Sequence, residues 1–295
     1  MPAGQASTGI AASVLGTSDA VLGLVKGEAM GLVERSEGPV LLRMHGQGVA
    51  VATLDRPAKL NALDGDLLEA LGSIIREVST DGDVRALVLA SSGPRAFCAG
   101  ADVRWLGAAA DEAERAARSA VGHATFDALA ACQKPTIAAI EGLALGGGCE
   151  LALACDIRVA SRTARFGQPE VALGLFPGWG GTQRLARLVG ASVALEMILS
   201  GAPVEAERAL AIGLATRLEA AGQALEVALD LASAIAARPA GVVALARSLV
   251  RDGLASDLAT GLARERAAFA GALASPDARE GIAAFIEKRA PRFAG

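Results

Sequence analysis

The chain has 295 residues, of which 52% are apolar, 20% charged and 3% aromatic, and its formal net charge is −4. That length supports a sizeable buried core, and the acidic balance argues against nucleic acid as the main partner, because phosphate binding needs a basic face. The apolar runs closest to membrane-spanning length are broken by charges such as Glu141 and Glu150, so no membrane segment and a cytoplasmic protein are expected.

In chain order, residues 1–37 come first. They are rich in small residues, carry no arginine before Arg35 and show no clear period, which fits a disordered or loosely docked extension better than a targeting leader. An α/β core is expected over 38–235. Its first part, "VLLRMHGQGVAVATLD", reads as two short strands around a Gly46-Gln47-Gly48 turn, and Asp64 to Ser79 as an amphipathic helix behind an Asp cap. "VRALVLAS" reads as a buried strand, Asp111 to Cys132 as a helix and "PTIAAIEG" as another strand. Beyond Gly190 the pattern is almost wholly helical: Ala191–Leu199, Glu205–Ile212, Ala221–Ala237, Gly241–Arg251, Asp257–Ala270 and Asp277–Lys288. Residues 236–295 are taken as a C-terminal helical region whose apolar faces need a partner surface.

Several chemistries are excluded early. There is no P-loop, no GxSxG elbow and no GxGxxG fingerprint. Two histidines, His45 and His123, in unrelated segments give little basis for a catalytic triad or a histidine metal site. The cysteines Cys98, Cys132, Cys149 and Cys155 form no CxxC pair and read as reduced, buried thiols.

What remains is glycine-rich turns and carboxylates. "FCAGADV" (Phe97 to Val103) is read as following the strand that ends near Ser91, and "GGGCE" (Gly146 to Glu150) as following the strand that ends near Ile140. Both are strand-to-helix junctions whose free N–H groups can hold an anion or a polarised carbonyl. Glu150 lies directly behind the glycines. Glu170 follows Pro169 in a loop-like stretch, where Val171, Ala172, Leu173 and Phe176 are expected to desolvate it and raise its pKa.

The run from Lys134 to Leu185, "KPTIAAIEGLALGGGCELALACDIRVASRTARFGQPEVALGLFPGWGGTQRL", resembles the signature region of the crotonase superfamily, specifically its enoyl-CoA hydratases. The resemblance extends through "LDRPAKLNAL", "AFCAGADV" and "GIAAFIEKRAPRF", leaving out only the N-terminal extension. It implies a crotonase-like spiral of ββα units with a C-terminal helical trimerisation region, assembled as a homotrimer or hexamer. It also implies an acyl-CoA substrate of the kind met in fatty acid metabolism, and hydration of a 2-trans-enoyl-CoA to a 3-hydroxyacyl-CoA. No cofactor is implied, coenzyme A being part of the substrate, and no metal.

Carried over by motif, the oxyanion donors are the N–H groups of Ala101 and Gly147. Glu150 holds and deprotonates the water, and Glu170 gives a proton to the α-carbon. Lys59, Leu60, Asn61 and Ala62 fall on one wall of the implied CoA site, Ala99, Asp102 and Val103 on the other, and Lys288 is matched to a CoA phosphate. Asp102 also reads as a helix cap. Trp179 stands where many short-chain hydratases have a small residue. The alternatives are double-bond isomerisation, which needs Glu170 more than Glu150, and a non-catalytic RNA-binding or scaffold role. Retention of both glutamates favours hydration.

Overall fold

The structure, a computed structural model, describes residues 34–293. Its strands are β1 (Glu34–Glu37), β2 (Val40–His45), β3 (Val49–Leu54), β4 (Ala86–Ser91), β5 (Ala96–Cys98), β6 (Thr136–Ile140), β7 (Leu143–Leu145), β8 (Ile157–Ser161), β9 (Arg165–Gly167), β10 (Val204–Glu205) and β11 (Arg217–Glu219). Seven of them form one sheet in the order β1-β2-β3-β4-β6-β8-β11, and four form a second in the order β10-β9-β7-β5. The first sheet is antiparallel through β3 and parallel from there on. β4 and β6 are buried on both faces, which is why "ALVLAS" and "TIAAI" are near-continuous apolar runs.

The helices are α1 (Gly65–Thr80), α2 (Val103–Gly107), α3 (Glu112–Ala131), α4 (Gly147–Ala154), α5 (Gly181–Val189), α6 (Ala191–Ser200), α7 (Ala206–Ala211), α8 (Ala224–Ala236), α9 (Ala240–Leu254), α10 (Leu258–Leu273) and α11 (Pro276–Glu287). α1 starts at the Asp64 cap, whose carboxylate accepts from Leu67 N–H, and it buries Leu67, Leu68, Leu71, Ile74, Ile75 and Val78. That spacing is one apolar helical face, and it packs into the main core with Phe97, Phe126 and Leu129. The opposite face of the large sheet, including Val49, Val51, Val88 and Ile137, is closed by Ala224, Ala228, Leu229 and Ala232 of α8.

The small sheet repeats one step three times. β4 is followed by β5, β6 by β7 and β8 by β9, each pair giving one strand to either sheet, and β5, β7 and β9 run parallel. This is the spiral of ββα units that the resemblance implies, and it corrects the local reading of the two glycine turns. They follow β5 and β7 of the small sheet rather than the strands ending at Ser91 and Ile140. β1 also begins inside the segment read as an extension, pairing with β2 across the Gly38-Pro39 turn. Residues 1–33 of that segment lie outside the described residues.

After α8 the chain bends by 110° into α9. Arg247 of α9 donates to Asp156 Oδ2 at 2.7 Å and to the carbonyls of Cys132 and Ala130, and Arg251 pairs with Asp156 Oδ1 at 3.1 Å. α10 packs on α9 and α11 on α10. These three helices expose Val250, Leu254, Leu258, Phe269, Ile282, Phe285 and Ile286. Among the described residues no single helix is long and apolar enough to cross a membrane; the bent α8–α9 pair passes by length and composition only, and α8 is packed on the sheet.

Candidate active site

The three loops that leave β5, β7 and β9 emerge at the same end of the small sheet, because those strands are parallel and adjacent. Ends of neighbouring parallel strands are where α/β folds gather functional loops. The β5 loop carries Gly100 and Ala101, the β7 loop Gly146 and Gly147, and the β9 loop Gln168, Pro169 and Glu170.

The first two loops touch. Gly100 has φ +102°, and a Cβ built on it would fall 2.9 Å from the Leu145 carbonyl oxygen and 3.4 Å from the Gly147 nitrogen. Only glycine fits that approach. Ala101 bridges to Leu63, but the ladder uses the neighbouring groups: Leu63 N–H donates to Gly100 O and Asp102 N–H to Leu63 O, both at 2.8 Å. The Ala101 N–H is thereby left over. Gly147 is the first residue of α4, whose leading N–H groups have no partner within the helix. Ala101 and Gly147 N–H, neither of which makes a described backbone hydrogen bond outside the regular elements, thus sit on two loops that touch, Gly147 at the positive end of the α4 dipole.

The third loop brings the carboxylate. Gly146 has φ +51°, and a Cβ on it would come within 3.1 Å of Glu170 Oε1. Glu170 lies in a short 3-10 turn, Pro169–Leu173, and its Oε2 is buried with no hydrogen-bond partner. Burial raises its pKa. Of the residues expected to desolvate it, Val171 is half-buried, while Ala172, Leu173 and Phe176 are exposed. The β7 glycine turn lies close against its Oε1.

Glu150, 1% exposed on α4, faces the same space. Its Oε1 accepts from Trp179 N–H at 2.8 Å and Gly181 N–H at 2.7 Å, and its Oε2 accepts none of the described hydrogen bonds. Burial, with a smaller push from Glu170, raises its pKa to about 7 against the opposing pull of the two N–H groups and Arg184. A carboxyl held at that value can be either charged or protonated near neutrality.

Sequence reasoning missed Gln168, which is wholly buried with neither amide atom partnered. A Cβ on Gly181 would fall 2.8 Å from its Nε2 and 2.9 Å from Glu150 Oε1, so the amide and the carboxylate crowd one glycine. A lone Gln before a proline carried no signal in the sequence. Trp179 is part of the main core. Its ring is buried edge-on to Phe126, centroids 5.5 Å apart, and a Cβ at Gly122 would lie 2.2 Å from it. The ring also backs onto Gly147, where a Cβ would be 2.9 Å from Cζ3.

The segments matched to CoA are drawn together, Ala99 N–H donating to Leu60 O at 3.0 Å and Ala62 N–H to Lys59 O at 3.1 Å. Lys59 and Val103 are exposed. Asn61 is buried, and its side chain holds the loop through Arg56 N–H, Ser92 O and Ala96 O, which is a structural task. Asp102 caps α2, its Oδ1 accepting from Arg104 and Trp105 N–H. Lys288 is outside this group: it ends α11, which packs on α10. The four cysteines are free and buried, and among the described residues no cluster of His, Cys, Asp and Glu is placed to hold a metal.

A model of the enoyl-CoA hydratase/isomerase family matches residues 44–295. A short-chain-enoyl-CoA hydratase of Clostridium acetobutylicum is 40% identical over 250 residues, covering 85% of this chain and 95% of that protein. A crotonyl-CoA hydratase of Syntrophomonas wolfei is 38% identical over 246 residues, 83% of this chain and 94% of that protein. The crystal structure of an enoyl-CoA hydratase from Bacillus anthracis superposes with a TM-score of 0.84 at 35% identity, covering 88% of this chain and all of that one. With a family model over residues 44–295 and relatives matched at about 40% identity over most of their length, the chain belongs to the enoyl-CoA hydratase/isomerase family.

Proposed function

We propose that the protein hydrates a 2-trans-enoyl-CoA to the 3-hydroxyacyl-CoA. The observation that carries this reading is buried Glu150, pinned on a single oxygen, with half-buried Glu170 near it, beside two N–H groups that make no described hydrogen bond. Addition of water pushes negative charge onto the thioester oxygen, and donors already aimed at that oxygen, here Ala101 and Gly147 N–H, lower the barrier without reorganising. Glu150 is immobilised through Oε1, so Oε2 is its working atom. It takes a proton from water as the oxygen attacks C3. Glu170, whose pKa burial raises, gives its proton to C2. The two carboxyls begin and end the step sharing one proton, and their mutual repulsion favours that arrangement.

The reaction changes no oxidation state overall, so it calls for no electron carrier, and the CoA moiety is simply part of the substrate. Exposed Lys59 and Val103 and the backbone of Leu60, Ala62, Ala99 and Asp102 would border that moiety, with Lys288 supplied from elsewhere in an assembly. The apolar residues exposed on α9–α11 support a homotrimer, or a hexamer of paired trimers, with no nucleic acid or membrane partner. Four unpaired buried thiols favour the cytoplasm.

The test is loss of the conjugated absorbance of crotonyl-CoA, run beside Glu150→Gln and Glu170→Gln. Hydration that falls by about 100-fold or more in both variants supports the reading. Retained proton exchange or double-bond migration in Glu150→Gln, without hydration by wild type, would move the protein to isomerisation.

A further inference from the structure

We propose that Arg184, braced by Asp127, is a positioning residue that fixes the working orientation of Glu150. This rests on the role just given to Glu150. The two N–H groups that hold Glu150 Oε1 belong to Trp179 and Gly181, so the carboxylate can be no better placed than the turn between them. That turn is secured at both of its carbonyls by one residue. Arg184 Nη1 donates to Trp179 O at 2.9 Å, and the Arg184 backbone N–H donates to Gly180 O at 2.8 Å. Gln183 N–H adds a third bond to Gly180 O at 3.1 Å.

The guanidinium lies directly over Gly180. That residue has φ +105°, and a Cβ there would sit 2.3 Å from Arg184 Nη1, so the glycine makes room for the clamp as well as for the turn. The outer end of the guanidinium is tied across to α3, Nη2 meeting Asp127 Oδ1 at 2.6 Å. Arginine suits this task better than lysine, since its rigid fork serves a carbonyl and a carboxylate at once.

The charged groups facing Glu150 are few. Glu170 approaches from the β9 loop and Arg184 from α5, Gln168 is neutral, and Asp127 stands behind Arg184. Arg184 therefore supplies the positive charge that opposes Glu170, as well as the geometry.

The experiment is the pH profile of crotonyl-CoA hydration for wild type, Arg184→Met, Arg184→Lys and Asp127→Asn. Added to it is the infrared carboxyl band of Glu150, assigned by difference against Glu150→Gln. Arg184→Met is expected to lower kcat by about 100-fold with KM nearly unchanged, because a misplaced base loses turnover before binding. Its acidic limb should move to higher pH, and the Glu150 band should shift and titrate later. Arg184→Lys should return the limb towards the wild-type position while kcat stays depressed, and Asp127→Asn should fall between. An Arg184→Met enzyme with wild-type kcat, limb and band overturns the proposal. So does loss of cooperative melting in both Arg184 variants, which would make the residue a fold support only. Should wild type not hydrate crotonyl-CoA, the functional reading fails, while the infrared band still decides whether Arg184 governs Glu150.

Discussion

Glu150 is a charge placed where the fold gains little from ionising it. Burial sets its pKa near 7, above the ordinary 4.5, so between those values the folded chain binds a proton that the unfolded chain has released. Stability then declines as pH rises from about 4.5 to about 7 and stays lowered beyond. Glu150→Gln should remove that slope, and urea unfolding at pH 8 should show a gain on the order of 2 kcal/mol over wild type, with little difference at pH 4.5. A variant that inactivates the enzyme is thus expected to stabilise it. Gly100 offers the opposite case. Gly100→Ala places a methyl between Leu145 O and Gly147 N in a left-handed backbone, and hydration should fall by roughly 100-fold or more, read as kcat at saturating substrate.

Among the elements, α8 shows how a sequence of small residues is used. Ala224, Ala228 and Ala232 are fully buried in one cluster with Val88 and Ile137 of the sheet. Ala228→Leu should destabilise by about 1–3 kcal/mol through overpacking, seen as a lower urea midpoint. Legibility followed element length. α1, α3 and the strands β4 and β6 could be read because their apolar periods run over several turns or residues. β5, β7 and β9 could not, because "AFC", "LAL" and "RFG" are three residues each, too short for an alternation to show. The glutamates and glycine turns were reachable by resemblance. The Arg184 clamp was not, since nothing in "GGTQRL" says which carbonyl the guanidinium will meet. The raised pKa of Glu170 was anticipated, although three of the four apolar residues named for it, Ala172, Leu173 and Phe176, are exposed.

At the scale of the molecule, Asp156 joins the C-terminal helices to the core. It accepts from Arg247, Arg251 and Thr136, and all three interactions are partly or wholly shielded. Asp156→Asn leaves two arginines short of a counter-charge and should lower stability by about 2 kcal/mol, with earlier proteolytic cutting at residues 237–239. Light scattering should give the mass of a trimer or hexamer, and aspartate at both Leu258 and Phe285 should reduce it; a monomeric wild type would refute the assembly. The three short parallel strands carry a last consequence, one of timing. Their loops meet only after pieces of chain far apart in sequence have paired, and such non-local closure is slow. On refolding, regained turnover would then mark the moment the small sheet shuts, later than the return of helical signal. A nascent chain that ends before β9 already holds Ala101, Gly147 and Glu150, yet it lacks Glu170, the acid of the proposed reaction. Catalysis in this fold is a property of the completed coil, since Glu170 enters only with the loop that follows β9.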